Sequence, residues 1–483
     1  MFCGVALAGC SAGEPTRPTG VGPAAKLAFI GSQRTAIAGG VITPAVQVAV
    51  QDAQGNTVTT ATTSISVAIG TNPASGTLSG TTTVAAVNGV ATFSNLSLSP
   101  AGTGYTLTAA ATGLTGTASS SFNITVPITA EHLRLSAGFL EACGVTTGGA
   151  AYCWGSNGVG QLGTGTLISN STTPVAVSGG LSFVSVSPSG LYGDACGVTT
   201  SGAAYCWGLN GFGELGNGSV TGSLIPVAVS GGLSFVTVDG GLGFACGVTT
   251  AGAAYCWGSN SLGDLGNGDT TDSATPVAVS GGLAFATVNA GAWSTCGVTT
   301  GGAAYCWGTG PIGSDTATFR ILTPVAVSGG LSFATVSAGP GHVCAVTAGG
   351  TAYCWGDSDN GALGTGSTTS ALTQVAVSGG LSFATVSAGS DFTCGVTTGG
   401  AAYCWGVNAD GELGNGDTTK SAAPVAVSGG LSFAAVSAGY KFACGVTTGG
   451  AAYCWGDNTF GQLGNGSTSN SRIPVAVSGG LSF

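Results

Sequence analysis

Two kinds of hydrophobic pattern follow each other along the chain. Between about residues 24 and 127, apolar and polar residues alternate in short runs such as Val46–Gln51, Ser64–Ile69 and Val90–Phe93. Turn-forming residues separate the runs, for example Asn88 and Gly89. Alternation with a period of two is typical of strands that bury one face. The pattern therefore predicts about seven short strands packed as an antiparallel sandwich.

From about residue 128 onward the pattern becomes a repeat. Each copy contains four short β-like segments, which in the sixth copy are strand A (Phe383–Ser387), strand B (Phe392–Thr397), strand C (Ala401–Trp405) and strand D (Pro424–Val427). A period close to 50 residues, built of short strands, indicates a β-propeller or an array. The copies are marked by Tyr-Cys-Trp-Gly, with its tryptophan at Trp154, Trp207, Trp257, Trp307, Trp355, Trp405 and Trp455.

The two ends of the repeat region complement each other. Leu481–Phe483 stand where a further strand A would begin, whereas His132–Gly138 form a strand A that no strand D precedes. The N-terminal strand can therefore complete a ring with the C-terminal end. We predict seven blades without an unpaired edge, which removes the aggregation hazard of an open sheet.

Cysteine spacing adds a covalent bond to each predicted blade. If Thr398 and Gly399 turn the B–C hairpin of the sixth copy, Cys394 lies opposite Cys404, and Gly395 lies opposite Tyr403 and leaves room for its ring. Metal sites prefer closer spacings, so we expect disulfides and an oxidising compartment. The predicted bonds are Cys143–Cys153, Cys196–Cys206, Cys246–Cys256, Cys296–Cys306, Cys344–Cys354, Cys394–Cys404 and Cys444–Cys454.

The first residues indicate export. Residues 1–10 are apolar, and Leu7–Cys10 resembles the lipobox of bacterial lipoproteins, in which the signal is removed and the cysteine is acylated. The resemblance implies lipidation at Cys10 and an extracytoplasmic location, either anchored to the bacterial surface or secreted. Residues 11–23 are rich in Gly, Pro, Ser and Thr and are interpreted as a flexible linker.

Short motifs connect both predicted domains to known families. Val50–Asn56 and Gly89–Leu96 resemble bacterial immunoglobulin-like domains, which act as stalks or adhesive modules. Residues 128–483 resemble the regulator of chromosome condensation repeat, most clearly in Tyr453–Gly466. That resemblance implies a seven-bladed propeller that binds proteins. The expected fold class is all-β: a seven-bladed β-propeller with an N-terminal immunoglobulin-like β-sandwich at residues 24–127.

Composition limits which functions of the family are expected for this chain. The founding member of the family exchanges guanine nucleotide on the Ran GTPase and binds chromatin, whereas other members are secreted. Here Lys and Arg together number 8 and the net charge is −10, so the chain lacks the basic surface that nucleic acids require. We therefore expect no nucleic-acid partner and no membrane contact except through a lipid anchor at Cys10. Exchange activity on a GTPase stays an alternative.

Comparison of the seven copies with one another locates a candidate binding surface. In a four-stranded antiparallel blade, the A–B and C–D loops emerge at one end, and the B–C and D–A turns emerge at the other. The turns are nearly uniform, whereas the loops differ between copies, so we name the loop end the variable face. Binding residues concentrate in loops on a rigid frame. The predicted contacts with a protein or glycan are Phe139, Tyr192, Phe212, Trp293, Phe319, Arg320, His342, Tyr440, Lys441 and Phe460.

Other classes of function stay open at this point. A glycan-active enzyme needs two carboxylates about 5–9.5 Å apart, but Glu141, Asp194, Glu214 and Glu412 stand at scattered loop positions, so no catalytic residue and no enzyme is predicted. The acidic loop Asp357–Gly361 and its counterpart at residues 408–412 could hold calcium, but they lack EF-hand spacing, so no metal or other cofactor is expected. A structural stalk protein without a dedicated ligand is the remaining alternative.

Overall fold

The computed structural model describes residues 20–31, 36–73, 76–99, 102–125, 135–167, 169–190, 193–314 and 320–483. Every regular element within these ranges is a strand, and there are forty of them. No helix in the described ranges is long and apolar enough to cross a bilayer. The all-β fold class is therefore confirmed.

The N-terminal part of the chain forms four small sheets around one hydrophobic core. Their orders are β1-β3-β7, β11-β10-β4-β6, β2-β12-β9 and β5-β8. The strands are β1 (Lys26–Ile30), β2 (Ala36–Ile37), β3 (Val46–Gln51), β4 (Ser64–Ile69), β5 (Thr77–Ser79), β6 (Thr83–Ala85), β7 (Val90–Phe93), β8 (Ser97–Ser99), β9 (Gly102–Tyr105), β10 (Leu107–Ala110), β11 (Thr117–Ala118) and β12 (Phe122–Thr125).

More strands form here than the seven that alternation predicts, because the chain passes from one sheet to another within a run. Tyr105 pairs with Phe122 on β12, whereas Leu107 pairs with Ile69 on β4. Thr106 between them bonds through its carbonyl oxygen to the amide of Gly70. A run that looks continuous in sequence is thus divided between two sheets that share a core.

The remainder of the chain forms seven four-stranded antiparallel sheets, each in the order A-B-C-D. Numbered along the chain, the blades are blade 1 with β13 (Leu135–Ala137), β14 (Glu141–Val145), β15 (Ala151–Ser156) and β16 (Asn170–Ala176); blade 2 with β17 (Phe183–Pro188), β18 (Asp194–Thr199), β19 (Ala204–Gly208) and β20 (Ser223–Ala228); blade 3 with β21 (Phe235–Gly240), β22 (Phe244–Thr249), β23 (Ala254–Gly258) and β24 (Ser273–Ala278); blade 4 with β25 (Phe285–Ala290), β26 (Ser294–Thr299), β27 (Ala304–Gly308) and β28 (Ile321–Ala326); blade 5 with β29 (Phe333–Ala338), β30 (His342–Thr347), β31 (Ala352–Gly356) and β32 (Ala371–Ala376); blade 6 with β33 (Phe383–Ala388), β34 (Phe392–Thr397), β35 (Ala402–Gly406) and β36 (Ser421–Ala426); and blade 7 with β37 (Phe433–Ala438), β38 (Phe442–Thr447), β39 (Ala452–Gly456) and β40 (Ser471–Ala476).

The register predicted for the B–C hairpin is the one observed. Cys394 lies opposite Cys404, and the equivalent cysteines of all seven blades are joined by disulfides. Gly395 lies opposite Tyr403, but the explanation for this glycine is corrected. A Cβ at residue 395 would stand 2.8 Å from Cδ1 of Phe383, so the glycine makes room for the phenylalanine of strand A and not for the tyrosine.

A tryptophan joins each blade to the one before it. Trp455 is fully buried and donates its indole N–H to the carbonyl of Glu412 in the preceding blade, at 2.9 Å. Gly414 packs against the same indole so closely that a Cβ there would lie 2.8 Å from Cδ1. The corresponding indole bonds run from Trp154 to Gln462, Trp207 to Gln161, Trp257 to Glu214, Trp307 to Asp264, Trp355 to Pro311 and Trp405 to Ala362.

The bond from Trp154 to Gln462 connects blade 1 to blade 7, so the ring is closed. The C-terminal residues supply the beginning of strand A that blade 1 lacks. Phe483 packs on Trp154 with ring centroids 6.1 Å apart, as Phe183 packs on Trp207 within blade 2. The Ser482 carbonyl also accepts a hydrogen bond from the amide of Thr147. The predicted closure between the two ends is confirmed.

Candidate binding site at the variable face

The two ends of the propeller differ in charge. Among the described propeller residues, the B–C and D–A turns carry no charged side chain. Apart from Asp239 in strand A of blade 3, every charged side chain in the described blades lies in the A–B or C–D loops or at the strand ends beside them. Carboxyl groups outnumber cations at this end. The described cations of the blades are only four: Arg320, Lys420, Lys441 and Arg472.

The A–B loops surround a depression at the centre of the variable face, which we name the mouth cup. Its volume is about 440 Å³, and its rim includes Phe139, Leu242, Trp293, Pro340 and Tyr440. Phe139 and Tyr440 stack with ring centroids 3.9 Å apart, across the joint between blades 1 and 7. Trp293 is 46% exposed, so an indole face is available to a ligand. The cup thus presents aromatic and aliphatic surface.

Below the mouth cup lies the central channel, of about 590 Å³, whose wall is the seven A strands. One small residue from each blade lines both spaces, and together they form a small-residue ring where the two spaces meet: Ala137, Pro188, Gly240, Ala290, Ala338, Ala388 and Ala438. The next residue inward in each blade forms a polar ring: Ser136, Ser187, Asp239, Asn289, Ser337, Ser387 and Ser437. From the surface inward, the side chains therefore form three layers: an apolar rim, a ring of small residues and a ring of polar side chains.

Hydrogen bonds of the polar ring tie neighbouring blades together. The amide of Ala438 donates to Ser387 Oγ of the previous blade at 3.0 Å, and the amides of Ala388 and Ala137 bond equivalently to Ser337 and Ser437. Between blades 1 and 2 the donor position is Pro188, which has no amide hydrogen. This joint accordingly lacks the bond that the others use.

Asp239 is the one carboxylate of the polar ring. Its oxygens accept from Ser187 Oγ, from the side-chain amide of Asn289 and from the amide of Ala290. All three donors are neutral. Burial raises the pKa of Asp239 above its usual value, and these hydrogen bonds oppose the rise.

Two further carboxyl groups lie beneath the loops, one in blade 1 and one in blade 2. Glu141 and Asp194 occupy the same position at the start of strand B and are 1% and 0% exposed. Burial raises the pKa of Glu141 to about 8, and the nearby Asp194 adds to the rise. Burial also raises the pKa of Asp194 to about 8, although Ser189 donates a hydrogen bond to it. Burial therefore favours the protonated form of both groups.

The structure divides the predicted contact residues into groups. Phe139, Trp293 and Tyr440 come together at the rim of the mouth cup, and Lys441 beside them pairs with Asp410 at 3.4 Å. On the outer C–D side, away from the cup, stand Phe212, Arg320 and Phe460. Outside the described residues fall Tyr192, Phe319 and the proposed lipidation site Cys10.

His342 is corrected as a surface contact. Its side chain is 1% exposed and its Nε2 lies 2.7 Å from Thr393 Oγ1 of the next blade. Burial lowers the pKa of His342 to about 4, so it stays neutral. It fills the inter-blade position that Phe392 and Phe442 fill elsewhere, both fully buried.

The carboxylates considered for catalysis are also buried. Glu214 and Glu412 are 0% and 1% exposed, and each accepts a backbone N–H of its own loop, from Phe212 and Asp410 respectively. These groups stabilise the C–D loops and offer no open pair to a glycan. Within the described ranges no cluster of three or more His, Cys, Asp or Glu side chains could hold a metal ion.

The site also contains residues that the sequence reasoning missed. Leu242 and Pro340 belong to the rim, and Asp239 stands below it. A signal for Asp239 existed, because five other copies carry serine at this position and an acid there is a departure from the repeat.

Comparison with known proteins agrees with the architecture. The regulator of chromosome condensation (RCC1) repeat matches residues 148–190, 201–248, 251–298, 349–396, 399–446 and 449–482, and a second form of the same repeat matches 333–362, 383–412 and 433–462. The matched residues amount to more than half of the chain. Among curated proteins, the human probable E3 ubiquitin-protein ligase HERC4 is 32% identical over 88 residues, which are 18% of this chain. The chain spans only 8% of the length of that relative.

Solved structures show the same fold. Human WBSCR16 aligns with a TM-score of 0.62 at 18% identity, covering 68% of this chain and 94% of that one. Prp20p of Saccharomyces cerevisiae, described with its binding to Gsp1p and histones, aligns with a TM-score of 0.61 at 19% identity, covering 74% and 90%. The fold is a closed ring of seven four-stranded blades, and the repeat matches more than half of the chain. The chain therefore belongs to the regulator of chromosome condensation (RCC1) repeat family.

Proposed function

We propose that this chain is an exported binding protein that captures a protein or glycan with the variable face of its propeller. One observation carries the proposal: the seven blades are alike at one end and differ at the other, and the differing end holds the charged side chains and the mouth cup. Packing requirements explain the uniform end, because each turn there occupies the equivalent position in every blade. They do not explain an exposed Trp293 or a stacked Phe139–Tyr440 pair at the other end.

The remaining parts of the chain fit this role. We interpret residues 24–127 as a bacterial immunoglobulin-like stalk, residues 11–23 as a tether and Cys10 as a lipidation site. Seven disulfides suit a compartment that is oxidising. The yeast neighbour Prp20 has been crystallised with Kap60 bound, so a protein with this fold takes a protein partner. A surface protein without any ligand is the outcome that the experiment below must exclude.

Site-specific photo-crosslinking tests the proposed face. A photoreactive amino acid replaces Trp293 on the variable face or, as the matched control, Thr398 in a uniform B–C turn. The oxidised protein is then exposed to extracellular proteins of the producing organism and its surroundings, and in parallel to a glycan array. We expect specific adducts or glycan signals that depend on position 293 and not on 398. Equal labelling at both positions, or no labelling at either, contradicts the proposal.

Export needs a separate test. Non-reducing peptide mapping of the natural protein should find the fourteen propeller cysteines in seven hairpin disulfides, and mass spectrometry of the N-terminal peptide should find an acyl group on Cys10. Reduced cysteines in the natural protein would contradict export, whatever the face binds.

A further inference from the structure

We propose that the mouth cup is a socket for a single lysine or arginine side chain of a basic partner protein. The inference rests on the proposed function and adds the chemistry of the partner. It follows from three observations: the lining of the cup, a carboxylate below it that pairs with no described cation, and the acidic loops of the same face.

The shape of the cup suits a long side chain with a cationic tip. Below the aromatic rim of Phe139, Trp293 and Tyr440, a ring of alanine, glycine and proline lines both the cup and the channel and presents an apolar wall. An aliphatic stem can pack against such a wall while its charged tip lies elsewhere. Aromatic faces at the entrance also attract ammonium and guanidinium groups.

Asp239 lines the channel directly below the small-residue ring, since the next residue, Gly240, belongs to that ring. Asp239 receives hydrogen bonds from neutral donors alone. The described cations nearest to the face serve other acids: Lys441 pairs with Asp410, and the charge of Arg320 lowers the pKa of Asp264. A carboxylate below an apolar opening, without a cation paired to it, attracts a cationic group.

The other loops of the variable face extend the same preference over a wider area. Their exposed carboxylates outnumber the described cations of the face: Asp391 stands in an A–B loop, and Asp269, Asp359 and Asp417 stand in C–D loops farther from the cup. A broad acidic surface around a cationic socket favours a folded or extended basic partner over a free small amine. The glycine-rich uniform end offers no such charge.

The test uses substitutions that the repeat itself supplies. Asp239→Ser introduces the residue that five other blades carry at this position, and Asp239→Asn introduces the residue of blade 4, so the fold should persist. Asp357→Asn removes the same charge from an exposed loop and is the matched control. Unfolding by urea with intact disulfides checks that all variants are folded.

The probe is a library of randomised 12-residue peptides, selected first on the wild-type propeller with the complete chain in place. We expect enrichment of peptides with a required lysine or arginine. Replacement of that lysine by norleucine, or Asp239→Ser in the protein, should each weaken binding about tenfold. Asp357→Asn should change affinity by less than about twofold, because exposed charges are screened.

The outcomes separate this inference from the proposed function. If the enriched peptides have no required basic residue, if none is enriched, or if Asp239→Ser binds as the wild type does, the cation socket is wrong. The crosslinking from position 293 would still decide whether the variable face binds a partner at all.

Discussion

The tight contact between Gly414 and Trp455 gives a prediction at the level of single residues. Gly414→Ala places a methyl group 2.8 Å from the indole, whereas Gly430→Ala, at the same φ of 62°, meets nothing within 4 Å. Both variants share the cost of a left-handed backbone. We expect Gly414→Ala to lower the free energy of unfolding by about 1–3 kcal/mol more than Gly430→Ala does. Urea denaturation with intact disulfides measures the difference, and equal losses would show that the indole yields without cost.

Residue roles were predictable wherever the seven copies could be compared. The cysteine register needed only the spacing within one hairpin. The error at His342 arose because it was assigned to the A–B loop, whereas it is the first residue of strand B. Three copies carry phenylalanine there, all fully buried, which indicates an inward-facing position: Phe244, Phe392 and Phe442. Asp239 was missed because the sequence of one copy does not show which side chains of strand A face the channel. That orientation is set only in the assembled ring.

At the level of the secondary-structure element, each B–C hairpin is closed by its own disulfide. The bond between Cys394 and Cys404 spans a sequence separation of 10, and loop-closure entropy for such a length corresponds to about 2–3 kcal/mol. We expect the double variant Cys394→Ala, Cys404→Ala to lose that amount while the hairpin persists, because the backbone ladder and the Trp405 bond remain.

Denaturation of this variant and of the wild type, both in non-reducing buffer, measures the loss. Addition of a reductant should then destabilise the wild type by more than the variant, since the wild type has seven bonds to lose. A variant that unfolds outright would show that the hairpin depends on its disulfide.

Strands and blades followed from the sequence because one pattern, repeated seven times, constrains every copy. The N-terminal sheets were less predictable, since Thr106 divides one run between two sheets. The loops of the variable face were the least predictable part. They occur once each, so no second copy shows which side chain points toward the centre, and the cup exists only after closure brings residues 138–139 beside Gly439 and Tyr440.

On the scale of the whole molecule, the ring is not uniform. Six joints around the channel are bridged by an amide of the following blade, and the joint between blades 1 and 2 has Pro188 in its place. Blades 1 and 2 also bury Glu141 and Asp194 at the start of strand B, where the other blades bury phenylalanine, serine or histidine. Glu141 faces this joint, since a Cβ at Gly138 would lie 2.8 Å from its Oε1 and 2.9 Å from Cβ of Pro188. We therefore expect the stability of the propeller to depend on the protonation of Glu141.

The sign of that dependence follows from the two pKa values. The pKa of Glu141 is about 8 in the folded protein and near 4.5 in the unfolded chain. Below pH 4.5 both states hold the proton. Between pH 4.5 and 8 the unfolded chain releases it while the folded protein keeps it, so the stability of the fold declines across this window and levels off above it. The raised pKa of Asp194 changes the stability in the same direction, whereas the amide of Leu140 and the side chain of Gln161 favour the ionised form of Glu141 and moderate the effect.

Glu141→Gln removes one titrating group and keeps its shape. We expect this variant to be as stable as the wild type at pH 4.5. At pH 8.5 its free energy of unfolding should be about 1–3 kcal/mol higher than that of the wild type, because a neutral amide does not titrate and so loses no stability as the pH rises. Urea denaturation at pH 4.5, 6.5 and 8.5 measures both proteins, and Asp359→Asn, which changes an exposed carboxylate, should follow the wild type throughout. A constant difference between Glu141→Gln and the wild type at all three pH values would show that the joint is limited by packing and not by proton binding.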